Sequence, residues 1–132
     1  ILFNEAGVPC VFWGDLLGSP ESDDLPAVRE LPVLMSIRAR AAVGPQHNAF
    51  DDPDVVGFAR EGKEEIPGSG CAVILSDRMA AEKTLYVGAR HAGQEWECVI
   101  GGHPSVRVAD DGTLTGVVSD GGLSVYVPRS NA

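Results

Sequence analysis

The chain lacks an apolar run long enough to span a membrane. Such a span takes about 20 consecutive apolar residues, and none of that length occurs among the 132 residues. No basic segment followed by an apolar stretch is visible at the start, so the sequence shows no secretory signal. Because it begins at Ile1, with an apolar Ile1-Leu2-Phe3 that resembles a helix entered partway, we expect a C-terminal piece of a longer protein.

Positive charge is scarce. The chain has 10 lysines and arginines against 19 acids, giving a formal net charge of −9. A surface of this charge repels phosphate backbones and anionic lipids, which argues against nucleic acid and membrane partners. The acidity suits neutral ligands and cations, or it only keeps the protein in solution.

Cysteine is also scarce, and its spacing indicates neither a zinc site nor a disulfide framework. Cys10, Cys71 and Cys98 lie far apart, without a CxxC pair or a ligand-like Cys/His spacing. Their odd number favours buried free thiols in a reducing compartment, which slightly favours a cytoplasmic location. The G-x-S-x-G motif of many serine hydrolases is absent too, so a Ser-His-Asp triad has no support.

Residues 1–45 predict one strand and one helix. Gly7 to Asp15 is a short apolar run bounded by turn residues, typical of a strand buried on both faces. Pro32 to Val43 has apolar residues at helical spacing, and Gly44 and Pro45 end the pattern. A single strand and helix cannot bury both strand faces, so the rest of a parallel sheet is expected outside this chain.

Residues 46–132 predict a compact antiparallel β-sandwich. Short strand-like runs alternate with turn sequences, at steps typical of a sandwich or barrel. Asp110-Asp111-Gly112 and Asp120-Gly121-Gly122 are strong hairpin signals. The predicted strands are Val55–Arg60, Ala72–Asp77, Lys83–Gly88, Trp96–Ile100, Ser105–Ala109, Leu114–Ser119 and Leu123–Pro128.

Four motifs in this order resemble the C-terminal part of bacterial and fungal α-amylases of glycoside hydrolase family 13. Residues 7–15 are similar to G-x-P-x-V-F-Y-G-D of the last barrel strand, with Trp13 in place of tyrosine. Residues 46–62 resemble QH-x-x-FD-x-x-D-x-VG-[FW]-x-REG of the C-terminal domain. Residues 86–96 resemble Y-V-G-x-x-x-A-G-x-x-W, and residues 121–127 resemble G-G-S-V-S-V-Y-V. The resemblance implies the final βα unit of a TIM barrel at residues 1–45 and a Greek-key β-sandwich, domain C, at residues 46–132.

The resemblance further implies hydrolysis of internal α-1,4-glucosidic bonds in starch or glycogen by a retaining mechanism. Retention requires two carboxyl groups about 5 Å apart. In the family these groups come from earlier barrel strands, so no catalytic residue is assigned to this chain. The implied partners are an α-glucan and the N-terminal catalytic barrel, and the full-length protein is expected to be a monomer.

A calcium site is the main candidate within the chain. In similar amylases a calcium ion joins the barrel to domain C, and Asp54 and Asp77 match its two carboxylate ligands. The carbonyl of Pro53 matches a backbone ligand, and these oxygen donors suit Ca²⁺. The alternative is a solvated acidic loop together with a turn residue at a strand end.

Aromatic and histidine residues are weaker candidates. Trp13 and Asp15 could line the substrate cleft, or they could be wall residues at the top of the barrel. Trp96 and Tyr86 are expected to be core or cross-strand residues and not a sugar platform. His47, His91 and His103 have no ligand spacing, so loop or packing roles are expected.

The alternative function is a stand-alone β-sandwich that binds carbohydrate or has a structural role, without catalysis. The sequence preceding residue 1 separates the two interpretations, because an amylase requires the barrel strands that carry its catalytic acids.

Overall fold

The computed structural model describes residues 1–19 and 26–130 and contains two short helices and eight strands. A 3₁₀ turn, Ala89–His91, lies between the fourth and fifth strands. Among these residues, no helix is long and apolar enough to cross a membrane. The elements are α1 Trp13–Leu17, α2 Leu31–Arg40, β1 Gln46–Ala49, β2 Val55–Arg60, β3 Cys71–Ser76, β4 Ala81–Tyr86, β5 Glu95–Ile100, β6 Val106–Arg107, β7 Thr113–Val118 and β8 Leu123–Pro128.

The strands form two antiparallel sheets that face each other. The larger sheet has the order β1-β2-β3-β8-β5-β6, and the smaller sheet pairs β4 with β7. The last strand, β8, lies between β3 and β5, so the order in space departs from the order in sequence. The predicted mainly-β, antiparallel fold class is confirmed.

The large sheet is buried on both faces, and its strands show why. Along β3, Ala72 and Ile74 belong to the core between the two sheets. Cys71 and Val73 face a second core that also includes Ile37 of α2. This period-2 alternation is that of a strand, with apolar side chains on both faces because both faces are covered. Residues 1–45 therefore share a core with the sandwich.

The strand predicted at Gly7 to Asp15 is not formed, and this corrects the sequence-based interpretation. Residues 7–12 have no regular structure, and α1 begins at Trp13. Val8, Phe12 and Trp13 are 90%, 67% and 70% exposed. A buried parallel strand needs neighbours that donate and accept its backbone hydrogen bonds, and the described part of the chain places none beside it.

Both predicted hairpin turns form, but neither joins two paired strands. Gly112 and Gly121 adopt positive φ at 80° and 59°, as these turns require. The turn at residues 110–112 leads from β6 in the large sheet to β7 in the small sheet. The turn at residues 120–122 leads back from β7 to β8. These turns are therefore crossovers between the two layers of the sandwich.

Candidate functional site

The predicted metal residues Asp54 and Asp77 meet at one end of the β2–β3 pair. The register pairs Val55 with Ser76, so the two aspartates follow directly beyond the last pair. The backbone N–H of Asp77 donates to the carbonyl oxygen of Asp54 at 3.1 Å. The Asp54 side chain is half-buried and that of Asp77 is exposed. The structure thus brings the two aspartates to one corner through their backbones, although they lie 23 residues apart in the sequence.

The acidic loop before β2 is held by two contacts. The backbone N–H of Asp54 donates to Asp52 Oδ1 at 2.9 Å, a local turn that aspartate favours. Lys83 Nζ of β4 lies 2.6 Å from Asp51 Oδ1, with the lysine side chain 9% exposed and the aspartate 81% exposed. The hydrogen bond from Lys83 lowers the pKa of Asp51 below its usual value. Lys83 therefore ties this loop to the small sheet.

The donors at this corner suit a hard cation, but they are too few to complete a calcium site. Two carboxylates and the Pro53 carbonyl give fewer donors than the six to eight oxygen ligands of Ca²⁺. In residues 1–19 and 26–130, no group of three or more His, Cys, Asp or Glu side chains converges on one point. Arg78 Nε also lies 3.9 Å from Asp77 Oδ2 and offers that carboxylate an alternative cation. Calcium binding at Asp54, Asp77 and Pro53 stays a prediction.

Trp13 and Asp15 lie on the exposed helix α1 and not at the end of a barrel strand. Trp13 is its first residue, and both side chains face solvent. A substrate-binding role for the pair stays a prediction, while their placement on a strand was wrong.

Packing and hydrogen-bond contacts explain four of the other aromatic and histidine candidates, Trp96, Tyr86, His91 and His47. Trp96 is fully buried in the core between the sheets, as expected. His91 is buried against it, with ring centroids 5.0 Å apart at 87°, and its Nε2 lies 2.7 Å from the Glu61 carbonyl oxygen. His47 Nε2 lies 2.9 Å from Glu61 Oε2, and the His47 ring packs edge-on against the Tyr86 ring. These contacts confirm packing and loop roles for His47 and His91.

The three cysteines are free thiols in different environments. Cys71 is buried, Cys98 is partly buried and Cys10 is exposed. Burial raises the pKa of Cys71 to about 12, so this thiol stays protonated at neutral pH. The expectation of buried thiols holds for Cys71 and was wrong for Cys10, which lies in the exposed segment before α1.

A wide groove of about 1140 Å³ was not predicted from the sequence. It lies between residues 63–69, residues 90–95, Arg107 and residues 128–130. The groove lies at the end of the large sheet where β2 ends at Arg60 and β3 begins at Cys71. The Asp54–Asp77 corner lies at the opposite end of the β2–β3 pair. At about 3.4 Å per residue, the two ends are roughly 17 Å apart. No single motif signals the groove, because four separate parts of the sequence build it.

Comparison with known proteins connects the chain to one enzyme family. No family model matches it. It is 37% identical over 131 residues to an α-amylase of Geobacillus stearothermophilus and 34% identical over 133 residues to one of Bacillus licheniformis, covering 98% of this chain in each case. It is also 34% identical over 138 residues to the cytoplasmic α-amylase of Escherichia coli K12. The chain spans 24–28% of the length of these relatives and matches their C-terminal part.

Solved structures show the same fold. A crystal structure of an Anoxybacillus α-amylase superimposes with a TM-score of 0.66 at 17% identity, covering 99% of this chain and 31% of that protein. AmyP, solved as an E221Q variant with maltotriose, gives a TM-score of 0.54 at 12% identity, with 88% and 23% coverage. At these identities the similarity shows the fold alone.

Proposed function

We propose that this chain is the non-catalytic C-terminal part of an α-amylase that hydrolyses internal α-1,4-glucosidic bonds with retention of configuration. The main support is the match to α-amylases over 98% of this chain and about a quarter of each relative. Retaining hydrolysis needs a nucleophile and a general acid about 5 Å apart. On this proposal, both come from a catalytic barrel that precedes the chain.

The exposed apolar side chains near residue 1 support a barrel neighbour. The exposed apolar side chains are Ile1, Val8, Phe12, Trp13 and Leu17. Large exposed apolar patches on a monomer usually mark an interaction surface. The other face of this region already packs on the large sheet through Phe3. On the proposal, residues 7–12 become the last strand of the barrel, with a division between barrel and sandwich at residues 45 and 46.

The proposed activity is tested with the longer protein and the isolated chain in parallel. We expect the longer protein to cleave maltoheptaose with retention of anomeric configuration, and the isolated chain to show no turnover. NMR of the newly formed anomeric proton measures the configuration of the product. In the longer protein, Trp13→Ala should raise KM for maltoheptaose if Trp13 stacks on a glucose ring. Turnover by the isolated chain, or inversion by the longer protein, would refute the proposal.

The proposal includes a calcium ion bound by Asp54, Asp77 and the Pro53 carbonyl, with further ligands from the barrel. Its support is the Asp54–Asp77 corner, where a loop tied by Lys83 meets the end of β3. When bound, the ion would neutralise the two carboxylates and join the two domains. The alternative is an acidic loop that binds no metal.

Asp54→Asn and Asp77→Asn in the longer protein separate these alternatives. We expect each variant to lower Tm by several degrees in calcium and to leave it unchanged in chelator, because binding stabilises only the state that holds the ion. Asp110→Asn, in the exposed turn that precedes β7, is the matched control and should change neither value. Equal losses of Tm with calcium and with chelator would exclude the metal site.

A further inference from the structure

The wide groove described above concentrates positive charge on an acidic chain. Among the residues that the structure describes, four lysines and arginines line it but only two acids do. The net charge of the groove is therefore opposite in sign to that of the whole chain. The four cations are Lys63, Arg90, Arg107 and Arg129, and the two acids are Glu64 and Glu95.

Among residues 1–19 and 26–130, three of the four cations have no carboxylate partner within 4.0 Å. Arg129 Nη1 lies 3.0 Å from Glu95 Oε1. Within the part of the chain that the structure describes, no carboxylate oxygen comes within 4.0 Å of the charged nitrogens of Lys63, Arg90 or Arg107. Uncompensated like charges in one groove repel one another, so an anion that binds there would relieve this repulsion.

The backbone places two of these cations. Arg107 lies directly opposite Glu95 in the β5–β6 pair, so Glu95 stands between Arg107 and Arg129. The Arg90 guanidinium packs over Gly62, where an added Cβ would lie 2.7 Å from its Nη2. Strand pairing therefore fixes the backbone of Arg107, and a close backbone approach places the Arg90 guanidinium.

The lining also indicates the class of ligand. Its apolar residues are small or cyclic, Pro67, Ala92 and Pro128, and it offers no large apolar pocket for peptide anchors. The one aromatic ring, His91, is buried and cannot stack on a neutral sugar. Arginine side chains bind phosphate in a forked geometry, and a groove of this size accommodates more than a single ion.

We propose that this groove binds a ligand that carries two or more phosphate groups along a chain. Arg90, Arg107 and Lys63 contact the phosphates, and Glu95 limits affinity by neutralising Arg129. Positive charge is scarce over the whole sequence, but these cations concentrate it locally in the groove. The site is independent of the proposed amylase activity and of the Asp54–Asp77 corner.

The test is isothermal titration calorimetry in metal-free buffer with four probes. We expect tripolyphosphate to bind with a Kd below 1 mM, inorganic phosphate to bind about tenfold more weakly, and maltoheptaose neither to bind nor to displace tripolyphosphate. Phosphorylated maltodextrin distinguishes phosphates carried on a sugar from a free polyphosphate. Displacement by maltoheptaose, or equal affinity for inorganic phosphate, would overturn the proposal.

Variants separate a built site from general electrostatics. Arg107→Gln and Lys63→Gln should each weaken tripolyphosphate binding about tenfold, because each removes one charge-assisted contact. Arg78→Gln removes the same charge from an exposed turn outside the groove and should change Kd less than twofold. Glu95→Gln should tighten binding about threefold, a gain that misfolding cannot produce. Equal losses in Arg78→Gln and Arg107→Gln, or weaker binding in Glu95→Gln, would contradict the proposal.

Discussion

Arg60 illustrates how a single side chain fixes the start of this chain. It is buried, its Nε donates to the Gly44 carbonyl oxygen at 2.9 Å, and its Nη1 donates to the Phe3 carbonyl oxygen at 2.8 Å. Gln46 adds to this contact, because its backbone N–H donates to Glu5 Oε2 at 3.0 Å. The first residues are thus attached to β1 and β2, which leaves their other face free.

Arg60→Ala should destabilise the fold strongly, because it leaves two carbonyl oxygens without their donor. Hydrogen bonds from charged groups contribute about 1.5–3 kcal/mol each, so the two bonds together predict a loss of about 3–6 kcal/mol in the free energy of unfolding. Urea titration measures the change, with Arg78→Ala as the exposed control at less than about 0.5 kcal/mol. A similar small loss in both variants would show that Arg60 does not secure this segment.

Strand β8 shows what the sequence could and could not predict at the scale of elements. Its bounds, and those of β2, were predicted correctly from turn residues and apolar alternation. In β8, Leu123, Val125 and Val127 alternate with Ser124 and Tyr126, a pattern that predicts one core face. Tyr126 and Val125 are nevertheless both fully buried on opposite faces. Strand order depends on which layers cover each face, and no local pattern carries that information.

Strand β1 and the basic groove were missed for a related reason. Gln46–Ala49 is polar and has no apolar alternation, so only its ladder to β2 makes it a strand. The groove combines cations from four separated segments, and their proximity follows from the sheet topology. By contrast, helix α2 was predicted because its period is local, and it ends at Arg40, three residues before the predicted end.

The contact between the two sheets depends on a glycine of β7. A Cβ at Gly116 would lie 2.7 Å from Ile74 Cδ1 and 2.7 Å from Tyr126 Cε2. The Tyr126 hydroxyl also lies 2.9 Å from the Val117 nitrogen, which joins β8 to β7. The sheets therefore approach closely at this point because no side chain intervenes.

Gly116→Ala should separate the sheets and cost about 1–3 kcal/mol, as overpacking of a dense core usually does. The control is Thr84→Ala, which alters the exposed face of the same small sheet and should cost far less. Thermal unfolding of both variants measures the difference. Unchanged stability in Gly116→Ala would mean that the layers can move apart without loss.

The whole molecule combines a well-packed sandwich with an incompletely covered N-terminal region. Both faces of the large sheet are buried, one by β4 and β7 and the other by α2 and the N-terminal residues. Val8, Phe12 and Trp13 remain exposed on that N-terminal layer. The proposed catalytic barrel would cover these side chains.

Hydrogen exchange of the amides of residues 7–12, compared between the isolated chain and the longer protein, tests this account most directly. If these residues become a barrel strand, their backbone hydrogen bonds slow exchange by about 100-fold or more in the longer protein, while β3 exchanges slowly in both. Equally fast exchange of residues 7–12 in both proteins would contradict the account.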